Sequence, residues 1–338
     1  MENIEKVREQ NSREVSIQQI IERELAGKVI EQQELTGGYY GHVYKVQLEN
    51  QEGSREVIIK FVHSEAELEY NEETIDNRVY GSRWSNLKPS HELLSVNKLP
   101  VPQLLGDGST ENGDESYVIM EYISGKATKD LLLLEDTPAI EELHELVGDT
   151  LGKMHAITRD FQGWVNMHEA YEKKWKDAFF ESIVNHVERA SKHNKFVAIN
   201  RDKIAVFIEK MKQDWIDPQT FVFSHTDGFQ GMAEYYDDEW KLNGIIDVED
   251  NEFTDQRFVL AGHELIMEYS KKEVLPEFWE AYQAHNKVEE SFDKSKNLFK
   301  LYYVLCWTSV ASEGWRGTPE EQVKAFGRLE ELIGEYIK

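Results

Sequence analysis

Apolar residues recur along the 338-residue chain with two different spacings. Up to about residue 123 they form short runs separated by glycine-containing turns, which is typical of strands joined in hairpins. From Thr128 onward they mostly recur at i, i+3 and i+4, the spacing of an amphipathic helix. The pattern therefore predicts a sheet-rich first part and a mostly helical second part. The length allows two lobes with a cleft between them or one large domain.

The first part of the chain contains one predicted helix and a glycine-rich hairpin. Apolar spacing from Ser16 predicts a helix that ends at Gly27. Two predicted strands then flank Gly37, Gly38 and Gly41. Glycines between strands let backbone N–H groups approach phosphates without interference from a Cβ atom, although hairpin turns use glycine in any case.

Lys60 lies in an otherwise apolar predicted strand, among Val57, Ile58, Ile59 and Phe61. Lysine is rarely buried without a partner, so Lys60 either reaches solvent from an edge or binds a functional anion. A lysine one strand after a glycine hairpin can reach phosphates as a point charge.

The remainder of the first part leads into a predicted linker. Glu69, Glu72 or Glu73 could each face Lys60 from a following helix, and the spacing singles out none of them. Their default interpretation is a solvated acidic face. The apolar strand SYVIMEYISG then ends at Gly125, which predicts a linker whose backbone groups could contact a nucleotide base.

Residues 221–250 hold the most informative pattern, FVFSHTDGFQGMAEYYDDEWKLNGIIDVED. Asp227 follows a short apolar run in a His-Thr-Asp turn, and Asp247 follows an apolar Ile-Ile pair. A carboxylate at the end of a buried strand needs a cation, a metal or several donors. Phosphoryl transfer uses such a pair, one carboxylate at the attacking hydroxyl and one at magnesium. We predict that Asp227 has the first role and Asp247 the second. The simpler alternative is a local turn network with His225 and a strand cap.

The second part is predicted to be mostly helical. A regular apolar stripe predicts a central helix over residues 142–158. Its His144 and His155 are interpreted as packing or surface histidines, because no cluster of metal-ligand residues accompanies them. Further helices are predicted over residues 169–191 and 201–216, after an N-cap at Thr254 or Asp255, and two or three times between residues 277 and 338.

Charge limits the classes of partner. Acidic residues outnumber basic ones by 64 to 38, which gives a formal net charge of -26. This charge disfavours binding to nucleic acid or to an anionic membrane, and the sequence contains no basic patch that would reverse it. An acidic surface would favour cationic small molecules, although the simpler interpretation is solubility.

Cys306 and the N-terminal residues indicate a compartment. A single cysteine forms no intrachain disulfide, and Cys306 lies in the apolar run LYYVLCWTSV, where it is interpreted as a small hydrophobe. The first residues, MENIEKVREQNSREVS, are polar and charged, and no stretch reaches 18 uncharged apolar residues. We predict a soluble, cytoplasmic protein.

The order of these features resembles the aminoglycoside phosphotransferase family, with its choline kinase-like relatives, within the protein-kinase-like fold. The likeness extends from about Leu35 to Ser270, and its specific part is the HTD and IID pair twenty residues apart. It implies a two-lobed α+β fold. A small antiparallel-sheet N-lobe with an N-terminal helix would occupy residues 1–123, and a larger, mostly helical catalytic and substrate-binding lobe would occupy residues 124–338.

The resemblance also implies a role for each motif. Asp227 would be the catalytic base, His225 would brace the catalytic loop, and Asp247 would bind Mg²⁺. Glu249 and Asp250 would lie near the acceptor, a hydroxyl of an aminoglycoside or another cationic alcohol. The protein would act as a monomer or homodimer. The nucleotide, ATP or GTP, would be held by Gly37, Gly38, Gly41, Lys60 and the linker residues Glu121, Tyr122 and Ile123.

One departure from the family pattern affects the metal. The family usually has Asn five residues after the catalytic Asp as a second metal ligand, and this chain has Met232 there. A thioether is a poor ligand for hard Mg²⁺, so Gln230, from a shifted loop, or a water would have to supply the oxygen. The alternative function is a catalytically impaired nucleotide-binding protein on the same scaffold. Protein substrates are disfavoured, because the Phe-Gly and Ala-Pro-Glu signatures of protein kinases are missing after Asp247.

Overall fold

The computed structural model describes residues 15–35, 42–63, 83–110, 115–169, 173–225, 228–314 and 318–338. Contacts between Cα atoms group the chain into two compact units. The first joins residues 1–74 to 100–124, and the second joins residues 75–99 to 125–338. Within the described ranges, no helix has the length and apolar content needed to cross a membrane.

A five-stranded antiparallel sheet forms the centre of the first unit. Its strands are β1 (Lys28–Leu35), β2 (His42–Asn50), β3 (Gly53–His63), β4 (Leu104–Ser109) and β5 (Glu115–Glu121). Their spatial order is β1-β2-β3-β5-β4, and every neighbouring pair is antiparallel. Helix α1, residues 15–25, precedes the sheet in the chain.

Helix α1 packs on one face of this sheet. Ile17 and Ile21 of the helix join Val57, Ile59 and Phe61 of β3 in one cluster, and all five side chains are fully buried. These β3 residues are two apart, so they lie on the same face because side chains alternate along a strand. Burial of each such side chain contributes about 1.5 to 3 kcal/mol.

Helices make up most of the second unit. Phe179, Phe258 and Phe299 from three of them are buried together, with ring centroids 5.2 to 6.3 Å apart, in the range of favourable aromatic contacts. The helices are α2 (Arg83–Val96), α3 (Thr128–Leu133), α4 (Ile140–His155), α5 (Trp175–His193), α6 (Lys195–Gln213), α7 (Gln256–Tyr269), α8 (Pro276–Gln283), α9 (Phe292–Gly314) and α10 (Pro319–Tyr336).

Two small sheets accompany these helices. One has the order β11-β10-β6 and the other the order β7-β9-β12-β8. A short 3-10 helix, Val248–Asp250, joins β11 to β12. The strands are β6 (Lys126–Ala127), β7 (Thr158–Arg159), β8 (Gly163–Trp164), β9 (Phe221–His225), β10 (Gly231–Tyr236), β11 (Glu239–Ile245) and β12 (Asn251–Thr254).

The predicted α+β class, with an antiparallel sheet in the first part and helices in the second, is confirmed. Asp255 is the N-cap of α7, because its side chain accepts a hydrogen bond from the Arg257 N–H at 2.9 Å. The described residues of the tail form three helices, and His144 and His155 are buried, as packing histidines would be. The helices predicted over 169–191 and 201–216 begin at Trp175 and Lys195 instead.

Helix α2 is grouped differently from the prediction. The sequence places all of residues 1–123 in one lobe, whereas residues 75–99, which contain α2, group with the second unit by their contacts. The helix packs on the 3-10 helix through buried Asn86, whose amide nitrogen donates to two carbonyls more than 160 positions further along the chain. The lobe boundary after residue 123 stays a prediction.

Candidate active site

Lys60 lies on the face of the five-stranded sheet opposite to α1. Its cross-strand neighbours are Val43 on β2 and Val118 on β5. Val43, Ile58, Lys60 and Met120 share this face and are each partly exposed, whereas Val118 is buried. A lysine on a partly exposed apolar face packs its aliphatic stem on that face and keeps its charged end towards water. Among the described residues, this face combines apolar side chains with two lysines, Lys60 and Lys45, the latter opposite Ile58 across the sheet.

The predicted linker begins where β5 ends. The Glu121 N–H donates to the Gln103 carbonyl at 2.9 Å, which fixes the start of the linker to the segment before β4. The Tyr122 ring lies under the ammonium group of Lys45, with 3.9 Å between Nζ and the ring centroid. Lys45 also pairs with Glu56 at 2.7 Å. Tyr122 and Ile123 are half-buried, and Glu121 is exposed.

The strand that carries His225 is buried and is held by β12. His225 is 3% exposed and pairs with Asn251 across the antiparallel ladder. The Gly228 N–H donates back to the His225 carbonyl at 3.3 Å, and Gly228 has φ +88, a conformation that favours glycine. The predicted catalytic loop follows His225 in the sequence, and its Asp227 lies outside the described residues.

Asp247 is exposed and follows β11 in a left-handed backbone conformation, φ 54 and ψ 36. Such a conformation is uncommon for a residue with a side chain, and Asp tolerates it better than most. The Asp250 N–H donates to the Asp247 carbonyl at 3.2 Å, which closes a tight turn. Glu249 is 5% exposed, and Asp250 is half-buried.

Gln230 and Asp247 lie near each other. The Ile246 N–H donates to the Gln230 carbonyl at 2.9 Å, so Gln230 is bonded to the residue directly before Asp247. Met232 lies on β10, where it pairs with Gly244 of β11. The structure thus brings the residue just before β10 next to the residues that follow β11.

A residue that the sequence analysis did not single out joins this loop to α2. Asn86 is fully buried, and its amide nitrogen donates to the carbonyls of Glu249 and Asn251 at 2.9 and 2.7 Å. Its side-chain oxygen accepts from the Asn166 N–H at 3.4 Å. A polar residue in the first turn of a helix gave no periodic signal, since its partners are determined by tertiary packing.

Of the predicted metal ligands, Asp247 carries an exposed carboxylate and Gln230 a side-chain amide, and both supply the kind of oxygen atom that Mg²⁺ prefers, whereas the Met232 thioether does not. The described residues contain no group of three or more His, Cys, Asp or Glu that could hold a metal ion. Several predicted site residues lie outside the described part of the chain, namely Gly37, Gly38, Gly41, Glu69, Glu72, Glu73 and Asp227.

A sequence model of one family covers nearly all of these elements. The model described as "Fructosamine kinase" matches residues 13–326. The chain belongs to the fructosamine kinase family. It is accordingly a phosphotransferase with a hydroxyl acceptor, and the comparisons lend no support to the non-catalytic alternative. None of the curated protein sequences compared with the chain matches it.

Solved structures confirm the protein-kinase-like fold of this family member. A provisionally assigned fructosamine-3-kinase from Haemophilus somnus 129PT aligns with a TM-score of 0.58 at 15% identity, over 96% of this chain and 97% of that chain. A mutant aminoglycoside 2'-phosphotransferase-IIIa in complex with GDP has a TM-score of 0.59 at 14% identity, over 94% and 95%. A spectinomycin phosphotransferase in complex with ADP and spectinomycin has a TM-score of 0.55 at 12% identity, over 95% and 97%.

Proposed function

We propose that this protein transfers the terminal phosphoryl group of ATP or GTP to a hydroxyl of a small molecule that also carries an amine, with fructosamines as the first candidates. The match of the fructosamine kinase model over residues 13–326 is the observation that carries the proposal. The roles assigned to individual residues below are part of the proposal.

Two independent features favour an acceptor substrate that carries an amine. Fructosamine, the aminoglycosides and spectinomycin, which the family model and the structural neighbours name, all combine hydroxyl groups with an amine. The chain itself has a formal net charge of -26, and a negative field raises the local concentration of a protonated amine. An acceptor with the same hydroxyls but without the amine should therefore be a poorer substrate.

The nucleotide is assigned to the partly exposed face of the five-stranded sheet. Val43, Ile58 and Met120 would pack against the base, and the linker after β5 would contact its edge. Lys60 would bind the phosphates as a point charge from the same face. The glycines of the predicted phosphate loop, Gly37, Gly38 and Gly41, complete this assignment from the sequence alone. GDP and ADP in two neighbours make both purine nucleotides candidates.

The chemistry is assigned to the two acidic positions in the second unit. Asp227 would accept or orient the proton of the attacking hydroxyl, and His225, buried on β9, would hold the start of its loop. Asp247 with Gln230 would hold Mg²⁺, which when bound supplies charge neutralisation for the triphosphate. Glu249 and Asp250 would orient the acceptor, Asp250 with the more exposed carboxylate.

Nucleotide turnover with a matched pair of acceptors tests the proposal. Diphosphate release is measured with ATP and with GTP, using fructosamine and fructose as acceptors that differ in the amine. We expect turnover that requires Mg²⁺, favours fructosamine, and is lost in the Asp227→Asn variant while nucleotide binding is retained. Turnover with fructose equal to that with fructosamine would contradict the assigned acceptor. Unchanged turnover in Asp227→Asn would contradict the assigned catalytic base.

A further inference from the structure

We propose that Asn86 is a positioning residue for the metal-binding loop. It holds Asp247 in place through the backbone of the 3-10 helix. The inference rests on the proposed function, because it takes Asp247 as the residue that binds Mg²⁺. Asn86 itself lies on α2, more than 160 residues before the loop in the sequence, and would touch neither nucleotide nor acceptor.

The side-chain amide of Asn86 makes hydrogen bonds through both its nitrogen and its oxygen. Both amide hydrogens are needed for the carbonyls of Glu249 and Asn251, at 2.9 and 2.7 Å, and the side-chain oxygen accepts from the Asn166 N–H. Only this orientation of the amide satisfies two carbonyl acceptors and one N–H donor, so the partners determine it. The side chain is fully buried, which excludes water as a replacement for these bonds.

The two carbonyls that Asn86 binds lie on either side of Asp250. The segment between Asp247 and Asn251 therefore has one end in a left-handed turn and the other end bonded to α2. An uncommon backbone conformation such as that of Asp247 persists only where the surrounding contacts hold it. Asn166, which donates to the Asn86 side-chain oxygen, also donates from its amide to the Ser85 hydroxyl at 2.9 Å, so two bonds hold Asn166 to the first turn of α2.

This arrangement gives Asn86 a function that a simple packing residue would not have. Groups that support metal ligands from behind determine the orientation of those ligands, and their removal typically lowers metal affinity or activity about 10- to 100-fold. Loss of the two Asn86 bonds should release the backbone around Asp250, let Asp247 leave its conformation, and weaken binding of the metal rather than of the nucleotide base.

The isosteric variant Asn86→Asp tests the inference, since a carboxylate has the same shape but no hydrogen to donate to the two carbonyls. The first measurement is hydrogen exchange of the amides of residues 248–252 in the metal-free, nucleotide-free protein. The second is the Mg²⁺ concentration that gives half-maximal turnover. Asn286→Asp is the control, because the Asn286 side-chain amide also donates to a backbone carbonyl, that of His155, at 2.7 Å.

In Asn86→Asp we expect at least about tenfold faster exchange in residues 248–252 and a rise of about 10- to 100-fold in half-saturating Mg²⁺. Asn286→Asp should change neither, even if its melting temperature falls equally. If Asn86→Asp cannot be purified folded, the smaller Asn86→Ser change is measured in the same two ways. Unchanged exchange and unchanged Mg²⁺ dependence in a folded Asn86 variant would overturn the inference. The Asp247→Asn variant separates the two proposals: if it keeps full Mg²⁺-dependent turnover, the assigned metal ligand is wrong whatever Asn86 does.

Discussion

Asp255 and Arg257 form a fully buried, bidentate ion pair across the first turn of α7. The Arg257 Nε donates to Asp255 Oδ1 at 2.9 Å, and Nη2 donates to Oδ2 at 2.6 Å. The Arg257 side chain is 1% exposed, and the Asp255 side chain is 0% exposed. Burial opposes the charge on Arg257, but the hydrogen bonds to Asp255 outweigh it, so the pKa of Arg257 is raised. The pair joins the helix start to Trp175, whose Nε1–H also donates to Asp255 at 3.2 Å.

Removal of one partner of this pair should destabilise the protein strongly. We expect Arg257→Leu to lower the free energy of unfolding by about 3 to 5 kcal/mol, because the Asp255 carboxylate would be left buried without its cation. Denaturant unfolding measures the change. Arg201→Leu is the control, because Arg201 pairs with Glu188 on the surface, where both side chains are more than half exposed, and should change stability by less than about 1 kcal/mol. Equal effects of the two substitutions would show that burial does not determine the contribution of the pair.

Three buried histidines should make stability depend on pH. Burial lowers the pKa of His144 to about 4 and those of His155 and His263 to about 3. Since the unfolded histidines titrate near 6.5, the unfolded state binds more protons below that pH. Stability should be complete above about pH 6.5 and should fall towards lower pH, by up to about 1.4 kcal/mol per pH unit for each histidine.

Urea unfolding between pH 7.5 and 5.5 measures how the free energy of unfolding changes with pH. This pH range lies above the one in which carboxylates titrate. His263→Phe should reduce the slope, because it keeps a ring stacked on Phe278, at a centroid distance of 4.3 Å, and removes the titrating group. The exposed His193 provides the control, and His193→Gln should leave the slope unchanged. A slope that His263→Phe does not alter would contradict the role of this histidine.

Met232 offers a gain-of-function experiment at the position of the missing amide. Met232→Asn would supply an oxygen ligand in place of a thioether, so we expect the half-saturating Mg²⁺ concentration to fall. Met232→Leu, which has a similar apolar volume and no ligand atom, should not change it. Equal Mg²⁺ dependence in both variants would indicate that the metal does not reach this position.

Lys60 should be the cation that the nucleotide phosphates require. We expect Lys60→Met to lower kcat/KM for the nucleotide by about 100-fold or more, the effect of removing one preorganised charge or donor from a phosphoryl-transfer site. Lys28→Met is the control, because Lys28 is exposed at the start of β1. Steady-state kinetics with a fixed acceptor compares them, and the assignment fails if both variants keep the wild-type value.

Gly148 should be essential for the packing of α4 on α8. A Cβ atom at Gly148 would lie 2.2 Å from the Phe278 carbonyl oxygen, which is backbone and cannot move aside cheaply. Gly148→Ala should therefore lower the melting temperature. Gly334→Ala, in α10, is the matched control, because its Cβ would be 3.6 Å from the nearest side-chain atom. Alanine at that site should be neutral or stabilise the helix by up to about 1 kcal/mol. A Gly148→Ala variant as stable as Gly334→Ala would show that the two helices separate without loss.

The sequence was sufficient wherever the signal lies in neighbouring residues. The apolar run around Lys60, the i, i+3, i+4 stripe of α4 and the cap at Asp255 each depend on a few consecutive positions, and the structure confirms the elements they predict. The hairpin of β10 and β11 was not predicted, although Asp237 and Asp238 both adopt positive φ, 52° and 61°, in its turn. Asp-Asp is a weaker hairpin signal than Asn-Gly, so the turn was not apparent.

By itself, the sequence determined the order of the motifs, the class of fold and the pair of acidic positions twenty residues apart, because those features are local or are read in chain order. The tertiary structure decided which buried polar groups support the loop of Asp247. The contacts of Asn86 with Glu249 and Asn251 join positions 163 and 165 residues apart, and the two-residue strands β7 and β8 exist only through pairing with β9 and β12. Such contacts leave no periodic trace in the sequence, since a buried hydrogen bond is stable only after the chain has packed around it.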